Sequence, residues 1–297
     1  MMSWQDELSN LGKMAADVPL SSRTTLGIGG AATWLFRPSN EANMQQAMRL
    51  IPQTLHTFPL GRGSNLLIAD SGIDGLVLDL SDVHMCRDDG LELVVGAGMR
   101  MGKLAQKAAT LGLSGLEFMA TVPGDVGGGI AMNAGAFGQQ VSDVLHSVEV
   151  LQRNGKSQSI QGEDLNMAYR FTALPAGALI TQARFSLQQG DTESIRQNMR
   201  EMRQKRSASQ PLASPNCGSV FKNPAGDFAA RLIESVGLKG ASEGNASISD
   251  VHANFIINEG GASCEDVLTL MRLAKDKVEQ KFAVELEHEV RLVGCVL

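Results

Sequence analysis

The chain is poor in aromatic side chains and in cysteine, and it has no long apolar run. Tyr169 is its only tyrosine, and the aromatic residues together make up 4% of 297 residues. The four cysteines, Cys86, Cys217, Cys264 and Cys295, form no C-x-x-C pair. That argues against a zinc or dithiol centre and fits free thiols in a reducing cytoplasm. No stretch reaches the roughly 18 apolar residues that span a bilayer. No basic tract offsets the formal charge of −6, so a nucleic-acid partner is not expected. The start, Met1-Met2-Ser3-Trp4-Gln5-Asp6-Glu7, is polar and acidic. It lacks the basic and apolar regions of a secretory signal. No G-x-G-x-x-G opens a helix and no Gly-Lys-Ser/Thr appears, which excludes the dinucleotide-binding fingerprint and the Walker phosphate loop.

What is present is an ordinary globular composition, 43% hydrophobic and 20% charged, at a length that favours about two domains. The 32 glycines cluster in particular stretches and call for a local explanation. Ala42, Ala47, Met48 and Ile51 recur at helical spacing after Ser39-Asn40-Glu41, which predicts a helix over 40–51. A second helix is expected over 100–111 and a strongly periodic one over 191–206, with Ile195, Met199 and Met202 on one face. Short apolar runs bounded by turn residues predict strands at 66–68, 76–78, 91–95, 144–151 and 178–186. The segment 207–216, with Pro211 and Pro215, reads as an irregular connection and as a domain boundary. Beyond it, helices are expected near 226–236 and 264–282, and strands near 218–222, 253–257 and 284–293. The mixture reads as α+β rather than a regular βαβ alternation.

Two glycine-rich loops stand out. The first is Gly61-Arg62-Gly63-Ser64-Asn65. A hairpin turn, a phosphate loop and a plain strand link are all open readings of it. Glycine lets backbone N–H groups converge on an anion because no Cβ blocks the approach. The second is Pro123-Gly124-Asp125-Val126-Gly127-Gly128-Gly129, followed by Asn133-Ala134-Gly135-Ala136. It reads either as a tightly packed helix start or as a surface that lets a ligand approach the backbone. Two such loops flanking short strands favour a large, flat, phosphate-bearing cofactor.

The run Thr24-Thr25-Leu26-Gly27-Ile28-Gly29-Gly30-Ala31, then Gly61 to Leu67, then Pro123 to Gly128 with Asn133-Ala134-Gly135-Ala136-Phe137-Gly138, resembles the UDP-N-acetylenolpyruvoylglucosamine reductase family. Asn216 to Pro224, Ala230 to Glu234 with Gly237 to Gly240, and His252 to Asn258 continue the resemblance in order, so it covers the chain from about residue 18 onward. The resemblance implies a vanillyl-alcohol-oxidase/PCMH-like FAD-binding fold in two parts, 1–75 and 76–206, followed by an α+β substrate-binding domain, 207–297. It implies non-covalent FAD on Gly61, Arg62, Gly63, Ser64, Asn65, Pro123, Gly124, Gly127, Gly128, Asn133, Ala134 and Gly135. It further implies NADPH as co-substrate, a UDP-sugar substrate, and a cytoplasmic, monomeric enzyme of peptidoglycan precursor synthesis, with no metal and no membrane partner.

The implied reaction reduces an enolpyruvyl ether to a lactyl ether. It needs a cation for the substrate carboxylate, a proton donor and a flavin. The resemblance places the cation on Arg170 and the proton donor on Ser219, and implies that Glu289 polarises the donor network and steadies the enol form. Without it, Arg170 reads as a surface arginine near a strand end and Ser219 as a turn serine. Glu289 shares one face of an alternating segment with Glu285, Glu287 and Arg291 and reads as part of a charged strand face. Cys217 reads as a packed thiol. Arg206, Lys222, Asn223 and His252 are the expected substrate contacts. The chain resembles the family's shorter branch, because the 48 positions between Arg170 and Ser219 leave no room for the insertion that carries a tyrosine over the substrate. A flavin oxidase of the same fold and a catalytically silent UDP-sugar binder are the rival readings. Neither loop offers a His or Cys to tether FAD.

Overall fold

The computed structural model describes residues 3–297; Met1 and Met2 of the acidic start lie outside it. The described chain packs into two units, each with its own apolar core.

The first unit takes the chain up to Ala16, then Trp34–Arg62 and Gly75–Lys205. Its main sheet has five antiparallel strands in the order Ser157–Gln161, Leu145–Leu151, Leu179–Ser186, Glu92–Gly96 and Cys86–Asp88. The alternation along Leu145–Leu151 places Val148 and Val150 in the core, as the two-residue period of a strand requires. Helices α1 (Trp4–Ser9), α2 (Glu41–Leu50), α3 (Met101–Thr110) and α4 (Val126–Ala131) belong to this unit. The Asn40 side chain accepts the Asn43 N–H at the start of α2. Helix α3 buries Met101, Leu104, Ala105, Ala108 and Ala109, a stripe at helical spacing. Phe36, Phe118 and Phe185 complete the centre of this core.

The second unit gathers Asp17–Thr33, Gly63–Asp74 and Arg206–Leu297. A three-stranded antiparallel sheet, Ser242–Glu243, Ala246–Ile248 and Ile256–Asn258, packs with α7 (Cys264–Phe282). Ser263 and Asp266 form a reciprocal capping box at the start of α7. Strand Arg291–Val293 pairs in parallel with Leu66–Ile68. The packing units therefore cut the chain differently from 1–75, 76–206 and 207–297. Residues 17–33 and 63–74 join the C-terminal segment because Leu26, Ile28 and Leu67 are buried in its core, among Val220, Phe221 and Val290.

Four expected elements differ, one of them the strand near 253–257, which runs over Ile256–Asn258. Helix α5 (Thr192–Ser209) runs past residue 206; Pro211 disfavours helical backbone at the residue before it and sets the end. The segment 218–222 is irregular rather than a strand. Gly218 adopts φ 79, and the only bridge in that segment is Phe221 to His288. The span 284–293 is a strand only over Arg291–Val293, although its burial still alternates at Leu286 and Val290. Strands Gly12–Pro19 and Ala31–Pro38 were not expected. They lie side by side in a four-stranded sheet with Ile73–Asp79 and Thr57–Leu60.

Candidate active site

The second glycine-rich loop lies in the first unit. Its glycines divide by what surrounds them. A Cβ on Gly127 would lie 2.9 Å from the Ala97 Cβ, and one on Gly129 would lie 2.5 Å from the Met101 sulfur. Both are glycine so that α4 can lie tightly on the sheet end and on α3. A Cβ on Gly128 would meet nothing within 4 Å, so this glycine leaves bare backbone facing open space. Gly135 sits in a short antiparallel pairing with Gln139–Gln140, where a Cβ would come within 2.7 Å of the Gln139 carbonyl oxygen. Gly124 has φ 115, a conformation open mainly to glycine. Ala134 is buried at the edge of the core.

Asn133 is fully buried, with φ 40. Its amide donates to the Gln140 side-chain oxygen at 3.1 Å and to the Ala168 carbonyl at 3.0 Å, and its oxygen accepts the Ser142 N–H at 3.0 Å. Its side chain is thus engaged by the protein itself. Ala168 and Phe171 exchange backbone hydrogen bonds at 2.9 and 3.1 Å, closing a two-residue turn with Tyr169 and Arg170 at its tip. Arg170 takes φ 57, which costs a non-glycine residue on the order of 1 kcal/mol. Its guanidinium carbon lies 5.0 Å from the centre of the Tyr169 ring.

The first glycine-rich loop divides between the units. Gly61 and Arg62 belong to the first, where a Cβ on Gly61 would lie 3.0 Å from the Asp125 Oδ2. Bare backbone at Gly128 and the Arg62 guanidinium are donors of the kind a cofactor pyrophosphate takes. Gly63, Ser64 and Asn65 belong to the second unit. Gly63 has φ 61, and a Cβ there would fall 2.5 Å from the Arg23 carbonyl oxygen, so the loop packs directly on the Thr24-Thr25 segment. Thr25 N–H donates to Gly63 O at 3.2 Å.

In the second unit the chain brings together Ser64, Asn65, the Cys217–Lys222 segment and Glu289. Asn65 Nδ2 donates to the Glu289 carbonyl at 3.1 Å. Glu289 N–H donates to Val220 O at 2.8 Å, and Lys222 N–H to Glu287 O at 2.8 Å. Ser219 is half-buried, next to Gly218, where a Cβ would lie 3.9 Å from Ser64 O. Asn254, which sequence reasoning did not single out, is buried and clamps the neighbouring residue: its oxygen accepts the Phe221 N–H at 2.9 Å and its amide donates to Phe221 O at 2.8 Å. The available signal was a polar residue inside the apolar run Ala253-Asn254-Phe255-Ile256, since a buried amide must find partners. Burial, and then the nearby Glu289 carboxylate, push the Cys217 thiol up to about 12.

Lys222 forms an ion pair with Glu287, and Asn223 is exposed with its oxygen accepting the Ala229 N–H at the start of α6 (Ala229–Ser235). His252 has its pKa lowered, first by burial and further by the cations of Lys239 and Arg206. Its Nδ1 accepts the Asn254 N–H at 3.3 Å and its ring meets Phe255 edge to face at 4.8 Å, the arrangement of a neutral, packed imidazole. Arg206 and His252 therefore share one neighbourhood of this unit. Among the described residues no cluster of His, Cys, Asp and Glu could hold a metal ion, and no helix is long and apolar enough to cross a membrane.

Residues 14–161 match the profile of an FAD binding domain, and this α+β chain with its paired glycine-rich loops is of the flavoprotein class. Residues 210–293 match the C-terminal domain of UDP-N-acetylenolpyruvoylglucosamine reductase. The UDP-N-acetylenolpyruvoylglucosamine reductase of Anaeromyxobacter sp. strain Fw109-5 is 43% identical over 98% of this chain and 92% of its own length. That of Magnetococcus marinus is 41% identical over 94% and 92%. The crystal structure of the Thermus caldophilus reductase superimposes with a TM-score of 0.82 at 35% identity, covering 95% of this chain and 98% of that one. The chain belongs to the UDP-N-acetylenolpyruvoylglucosamine reductase family, a family of FAD-dependent oxidoreductases.

Proposed function

We propose that the chain reduces UDP-N-acetylglucosamine enolpyruvate to UDP-N-acetylmuramate for peptidoglycan precursor synthesis, with non-covalent FAD and with NADPH as the source of hydride. The observation that supports this most is the stitching of the Ser219 segment to the Glu289 segment, through Glu289 N–H to Val220 O at 2.8 Å. It holds a hydroxyl and a carboxylate on adjacent backbone, as a proton donor and its partner require.

Bound and reduced, FAD supplies the hydride that adds to the terminal carbon of the enolpyruvyl group. The developing charge spreads into a carboxylate that is already anionic, so it needs strong electrostatic stabilisation. Arg170 binds that carboxylate; its guanidinium stays charged at any working pH and can donate two parallel hydrogen bonds. Ser219 delivers the proton to the carbon next to the ether oxygen. Glu289 steadies the donor and the enol form. Arg206 and Lys222 hold the substrate diphosphate, and Asn223 and His252 line the same site. The family resemblance also carries the choice of NADPH, the cytoplasmic setting and the monomeric state.

Ser219→Ala tests the assignment. The variant keeps flavin reduction by NADPH and loses reoxidation by the enolpyruvyl substrate. Normal turnover in the variant would remove Ser219 from the mechanism.

A further inference from the structure

Asp125 occupies the position before α4, with extended backbone at φ −107 and ψ 159, yet its side chain caps no amide of that helix. The helix does not need it there. Val126 N–H donates to Met99 O and Gly127 N–H to Ala97 O, each at 2.8 Å. The carboxyl turns instead to the other glycine-rich loop. A Cβ on Gly61 would sit 3.0 Å from its Oδ2, and the Arg62 guanidinium and backbone N–H both favour its charged form.

The residue is 5% exposed. Its backbone is held by a bridge to Arg100 and by Met101 N–H donating to Gly124 O at 3.1 Å. The charged groups that face it are Arg62, Arg100 and Asp79, one on the first loop, one just before α3 and one at the end of strand Ile73–Asp79. Burying a carboxyl is costly unless it does structural work. Here it links the two loops of the first unit.

We propose that Asp125 is a positioning residue for the flavin: its carboxyl oxygen tethers the Gly61-Arg62 turn to the Gly124–Gly129 loop and fixes the separation at which both loops meet the cofactor. This rests on the proposed flavin site. The tether needs an acceptor oxygen, not a charge, so asparagine preserves it and alanine removes it. Gly61 is part of the same device, because any side chain there would displace the carboxyl.

The test is FAD binding to apo-protein, followed by flavin fluorescence, in wild type, Asp125→Asn, Asp125→Ala and Gly61→Ala, with hydrogen exchange at the Arg62 amide. Asp125→Ala weakens FAD binding about tenfold, the scale of one lost buried hydrogen bond, and speeds Arg62 exchange. Asp125→Asn stays close to wild type in both. Gly61→Ala also weakens binding, and adds less in the Asp125→Ala background than alone. Wild-type affinity and Arg62 exchange in Asp125→Ala would overturn the tether, and so would an equal loss in Asp125→Asn. Wild-type protein that takes up no FAD would overturn the flavin site itself, and this role with it.

Discussion

The Asn133 side chain donates to the backbone carbonyl of Ala168 at 3.0 Å, at the base of the turn that carries Arg170. The glycine-rich loop thereby sets the pose of the cation in the proposed reaction. The Asn133 carboxamide also holds the half-buried Gln140 side chain and Ser142 N–H, so its removal takes a partner from each and loosens the base of the turn.

Asn133→Ala is expected to lower stability by about 1–3 kcal/mol, the scale of the hydrogen bonds lost by a buried side chain to half-buried partners. The loosened turn should slow substrate reduction at least tenfold, while flavin reduction by NADPH changes less. Thermal melts and separate measurement of the two half-reactions check this. Equal slowing of both half-reactions would place Asn133 in the flavin site alone.

Asp125 gives the apo-protein a pH-dependent stability. Burial raises its pKa to about 6 from 3.8, against the pull of Arg62 and Arg100. In this window the folded state binds more protons than the unfolded one, so stability falls as pH rises from 4 to above 6. Asp125→Asn lacks the penalty. The variant should be more stable than wild type by about 2–3 kcal/mol at pH 8, on the scale of 1.4 kcal/mol per pKa unit. The difference should vanish near pH 4. Melting curves of the two apo-proteins at both pH values decide it, and a variant that is less stable at pH 8 contradicts the account.

Cys217 should be chemically silent despite lying two residues from Ser219. A fully buried thiol pushed up to about 12 holds almost no thiolate at neutral pH. Alkylation of the native protein at pH 8, read by mass spectrometry, should leave Cys217 unmodified while the half-buried Cys295 reacts. Cys217→Ala should keep most of the turnover. Loss of turnover with an unchanged melting curve would give the thiol a role that burial argues against.

Much of the fold was legible in the sequence where a local period fixed it. The helix expected over 100–111 is α3, Met101–Thr110, and the strand expected over 144–151 is Leu145–Leu151. The strands Gly12–Pro19 and Ala31–Pro38 were not legible: the first carries Asp17 at φ 50, which breaks its alternation, and both take their order from partners distant in sequence. The irregular path of 218–222 depends on Asn254, 33 residues away. The candidate site came from motifs, and motifs mark positions rather than partners. They pointed to Asn133 and Gly127 as cofactor contacts. The side chain of Asn133 is engaged by the protein, and Gly127 is needed for helix packing. Asp125 lay inside a quoted motif, but its partner on the first loop is visible only in three dimensions.

Anaerobic stopped-flow absorbance of the flavin band tests the central claim most directly, with NADPH added first and UDP-N-acetylglucosamine enolpyruvate second. The account predicts bleaching on NADPH and recovery of the oxidised band when the enolpyruvyl sugar is added. Bleaching that persists after the second addition would contradict the proposed substrate and leave a flavoenzyme with a different acceptor.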